Sequence, residues 1–133
     1  MWTVPGGHLD PTDFTGLKKE TKDYWYNILE KVLRREVKEE VGIEINNIEY
    51  ITSLATVHED DLSGQAQSPS LVISCLADYV SGQIILQKEE TDKFEWVTLA
   101  EAKKHELIDG IYDELVMAEN KRKGIKTEWK RAK

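Results

Sequence analysis

Three glutamates, Glu36, Glu39 and Glu40, close an otherwise amphipathic run, and their spacing sets them on one sector of a helix. In the first half of that run Trp25, Leu29 and Val32 define an inward face. In the second half the three carboxylates occupy the same sector, while Asn27, Lys31, Arg34 and Lys38 keep to the opposite side. Carboxylates that continue an apolar stripe repel one another and lose hydration, an unfavourable arrangement unless cations compensate it. Hard oxygen ligands grouped in this way suit a divalent ion such as magnesium. The competing reading is a charged helix end in solvent, with Arg34 and Lys38 neutralising neighbours one turn away. Spacing alone is compatible with both.

The elements that must position these residues follow from hydrophobic periodicity. Trp25, Ile28, Leu29, Val32, Leu33 and Val37 recur at three and four, which predicts a helix from about Tyr24 to Val41, ended by Gly42. Ahead of it, Trp2-Thr3-Val4-Pro5-Gly6-Gly7 reads as an extended piece entering a glycine turn, and residues 10–23 read as a polar loop. Ile43 to about Val57 predicts one or two strands, His58 to Ser68 an acidic surface loop, and Leu71 to Val80 a long strand. Ser81-Gly82 then turns into a strand at Gln83 to Gln87, and Phe94 to Val97 offers another. Leu99 to about Leu107 and Asp109 to about Lys121 read as helices, the second with Ile111, Tyr112, Leu115 and Ala118 on one side. This order predicts an α/β fold.

With the elements in place, Arg35-Glu36-Val37-Lys38-Glu39-Glu40-Val41-Gly42-Ile43 resembles the second half of the Nudix box, Arg-Glu-aliphatic-x-Glu-Glu-x-Gly-aliphatic, without a mismatch. Trp2 to His8 resembles the Trp-x-x-Pro-Gly-Gly-His segment that leads into that box, and Phe94 to Ala102 looks like the closing strand and helix of the same family. Two separate motifs in the right order are far more specific than either alone.

The resemblance implies a Nudix-like α/β/α sandwich with a mixed β-sheet. It also implies hydrolysis of a diphosphate bond in a nucleoside diphosphate linked to another moiety, by water attack at phosphorus. Carried over by position, Glu36, Glu39 and Glu40 are the carboxylates that bind Mg²⁺ or Mn²⁺, and Gly6 offers its backbone carbonyl. Arg35 holds the carboxylates by pairing with a neighbouring acid. Many members recruit one more acid before the closing strand; Glu90 is the candidate here, with Glu89 next and the His58-Glu59-Asp60-Asp61 loop as a rival. His8 reads as structural or as a contact at the substrate edge, and His105 as a surface helix residue.

The chain departs from the family pattern twice. The Glu expected in the first half of the box falls at Asn27, and fourteen residues too many separate Gly7 from it, so residues 10–26 read as an insertion. That insertion lies between the glycine turn and the metal helix, where it can wall the substrate cleft. Tyr24 and Tyr26 are its candidates for ligand contact. Secondly, Met1 directly precedes Trp2 where the family has two strands. The expected fold therefore lacks the usual N-terminal strands: either the sequence is a truncated reading of a longer gene, or the open sheet edge is completed in a homodimer.

Composition bounds the rest. The 133 residues, 40% of them apolar, suffice for one domain without disulfides, expected over 1–120 with a basic tail at 121–133. That tail carries seven Lys and Arg against Glu128 alone, so the net charge of −7 conceals a body at −13. It reads as a solvated, frayed end, with a contact to phosphate or a partner as the alternative. The acidic body disfavours binding to duplex nucleic acid and favours divalent cations. Cys75, in an apolar run, reads as a small buried hydrophobe. With one cysteine, no leader and no membrane span evident, the expected location is the cytoplasm. Two other functions compete with hydrolysis: a catalytically weak Nudix-like module that binds a nucleotide or a protein, and an interaction domain whose acidic helix binds a basic partner.

Overall fold

A computed structural model describes residues 1–58, 68–86 and 93–132. The mixed α/β content is that expected. A 3-10 turn at Pro11–Asp13 is followed by helix α1 (Ile28–Val41), strands β1 (Glu44–His58) and β2 (Ser68–Ser81), and helices α2 (Leu99–Ala102) and α3 (Ile111–Arg122). β1 and β2 form a two-stranded antiparallel sheet. The chain makes two compact units, one of residues 3–48 and 77–97, the other of residues 1–2, 49–76 and 98–133.

In the first unit, α1 begins at Ile28 rather than Tyr24. The three residues expected to open it are held in a loop by other partners. The Trp25 indole donates to the Leu17 carbonyl at 2.9 Å and the Tyr26 amide to Glu20 Oε2 at 3.0 Å, while the amides of Glu20 and Thr21 donate to the Tyr24 carbonyl. Asn27 then takes a left-handed conformation, φ 57°, which breaks the helix at its N-cap. Trp25 therefore does not start the buried stripe of α1; it packs edge-on against Phe14, ring centres 5.1 Å apart, beneath the Lys19 ammonium.

The core of this unit is Val37, Val41 and Ile43, with Ile45, Ile84 and Leu86 packed against them. Gly42 ends the helix at φ 81°, its amide donating to the Lys38 carbonyl at 3.0 Å. Gly82, at φ 101°, sits against it: a Cβ there would lie 2.8 Å from the Gly42 carbonyl oxygen. Beyond Gly82 the expected strands at Gln83 to Gln87 and Phe94 to Val97 are absent from the described residues. The first segment is tied by the Ile85 amide to the Val41 carbonyl at 2.9 Å, so it is anchored to the end of a helix rather than to a strand ladder.

In the second unit, Thr98 caps α2 reciprocally with Glu101, but the helix stops at Ala102 instead of reaching Leu107. Leu107 instead bridges to Trp2: the Trp2 amide donates to the Glu106 carbonyl at 2.8 Å and the Ile108 amide to the Trp2 carbonyl at 3.0 Å. His105 consequently lies in the turn after α2, half-buried with its ring centre 4.9 Å from that of Trp2, and is not a surface helix residue. Helix α3 buries Asp113, Glu114 and Met117, so its covered side includes two acids. Ser74 Oγ donates to Glu114 Oε1. Asp113 accepts from Arg131 Nη1 at 2.8 Å and from the Ala132 amide at 2.6 Å. The tail is thus folded back onto α3 rather than frayed, and Lys121 Nζ adds a bond to the Tyr50 carbonyl at 2.5 Å. Cys75 is half-buried, not fully enclosed. Among the described residues no helix is long and apolar enough to cross a membrane.

Candidate active site

The glutamate-bearing half of α1 faces the Gly6–Gly7 turn. A Cβ on Gly7 would overlap the Glu36 carboxyl group and lie 2.7 Å from its Cγ, so a side chain there would push aside the end of that glutamate. The Gly6 amide donates to Glu40 Oε2 at 3.2 Å, so the turn rests on two carboxylates one helical turn apart. Glu36 and Glu40 are half-buried. Glu39 differs: its side chain is 58% exposed and stands outside the sector it was expected to share.

Arg35 joins these acids. Its Nη2 lies 2.6 Å from Asp13 Oδ1 and 3.2 Å from Glu36 Oε1, and its Nη1 lies 3.8 Å from Glu39 Oε2. One guanidinium therefore serves three carboxylates, which offsets the repulsion between Glu36 and Glu39. Asp13 is the site residue that the sequence reading missed. Its side chain is only 7% exposed and also accepts from the Asp10 amide at 2.7 Å. The only sequence signal was Pro11-Thr12-Asp13, a turn-forming triplet that fixes an acid three residues after Asp10.

The insertion is self-packed around Trp25 and fastened to α1 at a second point, Lys31 Nζ to Glu20 Oε1 at 2.8 Å. This hydrogen bond, followed by that from the Tyr26 amide, holds the Glu20 carboxyl below its ordinary value. Tyr24, Tyr26 and His8 are all exposed. Glu89, Glu90, Glu59, Asp60 and Asp61 lie outside the described residues, as does the side chain of His58.

Among the described residues, no three His, Cys, Asp or Glu side chains are gathered closely enough to hold a metal ion. The reason is visible in the pairing: Glu39 turns to Arg35 and Glu40 to the Gly6 amide. The donor chemistry nevertheless fits a hard divalent ion, because Glu36 and Glu40 both present carboxylate oxygens to the Gly6–Gly7 turn.

Comparison with known proteins identifies the family. A model of the NUDIX domain matches residues 1–117. The NAD-capped RNA hydrolase NudC of Pseudomonas aeruginosa is 37% identical over 71 residues, 53% of this chain and 22% of that protein. Its namesake from Klebsiella pneumoniae is 34% identical over 68 residues, 51% of this chain and 23% of that protein. That from Mannheimia succiniciproducens is 37% identical over 67 residues, 50% and 22% of the two chains. The matched stretch thus spans little more than a fifth of these relatives.

Proposed function

We propose that this chain, which belongs to the Nudix family, is a metal-dependent pyrophosphohydrolase that cleaves the diphosphate bond of a nucleoside diphosphate linked to another moiety. The observation that carries the reading is the docking of the Gly6–Gly7 turn on Glu36 and Glu40. It brings a backbone turn and two half-buried carboxylates to one place, an arrangement that a merely solvated acidic helix does not need. The relatives named NAD-capped RNA hydrolase support a dinucleotide-type diphosphate, free or at an RNA end, as the substrate class. Duplex nucleic acid is not part of the proposal.

In this reading Glu36, Glu39 and Glu40, with the Gly6 carbonyl, would hold Mg²⁺ or Mn²⁺. A divalent ion so held screens the diphosphate charge and lowers the pKa of the attacking water. The chain's own residues do the positioning. Arg35 bridges Glu36 and Glu39, and Asp13 fixes Arg35 from the far side. Glu90 takes the part of the additional acid, and His8 that of a contact at the substrate edge. Tyr24 and Tyr26, exposed on the insertion, contact the group beyond the diphosphate. The domain is taken as residues 1–120, completed as an α/β/α sandwich with a mixed sheet. Pairing of open strand edges between two copies gives the homodimer, and the compartment is the cytoplasm.

The reading is tested by incubating the purified chain with nucleoside di- and triphosphates, ADP-ribose, dinucleoside polyphosphates and NADH, with Mg²⁺ and then with a chelator. Release of a nucleoside monophosphate from a diphosphate-linked substrate, abolished by chelation, is expected. Metal-dependent binding without turnover of any of them would make the chain a nucleotide-binding module instead.

A further inference from the structure

A second feature of the unit that contains α1 is a cavity of about 600 Å³. Its described lining is Tyr79, Gly82, Gln83, Ile84, Phe94 and Trp96, without a formal charge among them. The volume falls within the range of small-molecule sites, roughly 300–1,000 Å³. Three aromatic side chains line this one space with half or more of each exposed: Tyr79 at 52%, Phe94 at 50% and Trp96 at 63%. Large rings left together in water mark a surface that a ligand covers.

The rings are already arranged. Tyr79 and Trp96 meet edge to face, 5.7 Å between centres at 79°, and the Tyr79 hydroxyl donates to the Gly82 carbonyl at 2.6 Å, which fixes its ring. A perpendicular pair forms a corner in which a third flat ring can stack on one face while meeting the edge of the other. The floor of the corner is bound to α1 through the Gly82–Gly42 approach and the Ile85–Val41 hydrogen bond. That attachment joins the corner to the helix that carries Glu36 and Glu40.

We infer that the Tyr79–Phe94–Trp96 corner is the subsite for the planar base of the nucleotide. The inference rests on the proposed hydrolase reading and divides its labour: a neutral aromatic corner takes the ring, and the carboxylate end of α1 takes the metal and diphosphate. Gln83, the one amide in the lining, is placed to read the edge of the base.

Calorimetric titration of the full chain, without added metal, tests the subsite separately from hydrolysis. The ligands are the four common nucleoside 5′-monophosphates and ribose 5-phosphate, which has the sugar and phosphate but no ring. At least one monophosphate should bind tenfold or more tightly than ribose 5-phosphate, because stacking on an aromatic side chain contributes on the order of 1–3 kcal/mol per base. Phe94→Ala and Trp96→Leu should each weaken that binding at least fivefold and bring it towards the ribose 5-phosphate value. Trp96→Phe, which keeps a ring and is the milder change if the leucine variant does not fold, should retain most of it. Equal binding of ribose 5-phosphate and every monophosphate, or unchanged binding in variants with parental melting curves, overturns the subsite. A chain that binds a base through these rings but hydrolyses nothing keeps the subsite and removes the hydrolase reading.

Discussion

Arg35 Nη2 lies 2.6 Å from Asp13 Oδ1, so the insertion that interrupts the glutamate motif is fastened to the motif's own arginine. Asp13 is largely buried and Arg35 is not, and the pair therefore acts on position more than on stability. Asp13→Ala is expected to cost about 1–2 kcal/mol in denaturant unfolding and to lower turnover with a smaller change in the Michaelis constant. Asp13→Glu, which keeps the charge, should recover part of the turnover. A parental rate in Asp13→Ala would reduce the contact to a surface ion pair.

Gly7 gives a second prediction, since a methyl group there meets the Glu36 carboxyl group. Gly7→Ala must displace either the turn or the carboxylate. It should weaken Mn²⁺ binding, followed by electron paramagnetic resonance, by about tenfold, a change of about 1.4 kcal/mol. Gly16→Ala, whose added atom meets open space, is the control and should leave the Mn²⁺ titration as it is in the parent. Identical titrations for both variants would detach Gly7 from the site.

The Glu20 carboxyl is held below its ordinary value by Lys31 and the Tyr26 amide. A carboxyl group lowered in the folded state adds stability that is present above its unfolded pKa and disappears as pH falls through the folded one. The melting difference between parent and Glu20→Gln should therefore be constant above about pH 5 and shrink below it. A difference that grows with acidification would contradict the assignment.

On α3, Arg131 and the Ala132 amide both bind Asp113, whose side chain is 4% exposed. Removing the arginine leaves that carboxylate with less compensation. Because Arg131 itself is mostly exposed, Arg131→Ala should lower the melting temperature only modestly. The same change should speed amide exchange across residues 125–132 relative to α1. Equal exchange in parent and variant would show that the tail is held by something other than this pair.

Much of the candidate site was legible because it depends on local rules. Helical spacing put Glu36 and Glu40 on the half-buried side of α1, Gly42 ended the helix, a run rich in Ile, Tyr, Thr and Val gave β1, and alternation gave β2. What escaped depended on distant partners. Trp25 fits the apolar stripe of a helix, yet Leu17 and Phe14 claim it, and the helix starts three residues after it. Asp113 and Glu114 look like solvent residues until Arg131 and Ser74 arrive from elsewhere in the chain. Glu39 shares a sector with its neighbours on a wheel, but Arg35, four residues before it, turns it outward. Periodicity records which face a residue occupies and not which charge it meets there.

The central claim, that the carboxylates at the end of α1 bind the metal used in hydrolysis, is tested most directly by turnover of Glu40→Gln with saturating Mg²⁺. Glutamine keeps the size and an oxygen for the Gly6 amide but removes the charge. The account predicts a loss of at least about tenfold, or about 1.4 kcal/mol of barrier, with the melting curve of the parent. Equal turnover in the two proteins on any substrate that the parent hydrolyses would contradict it.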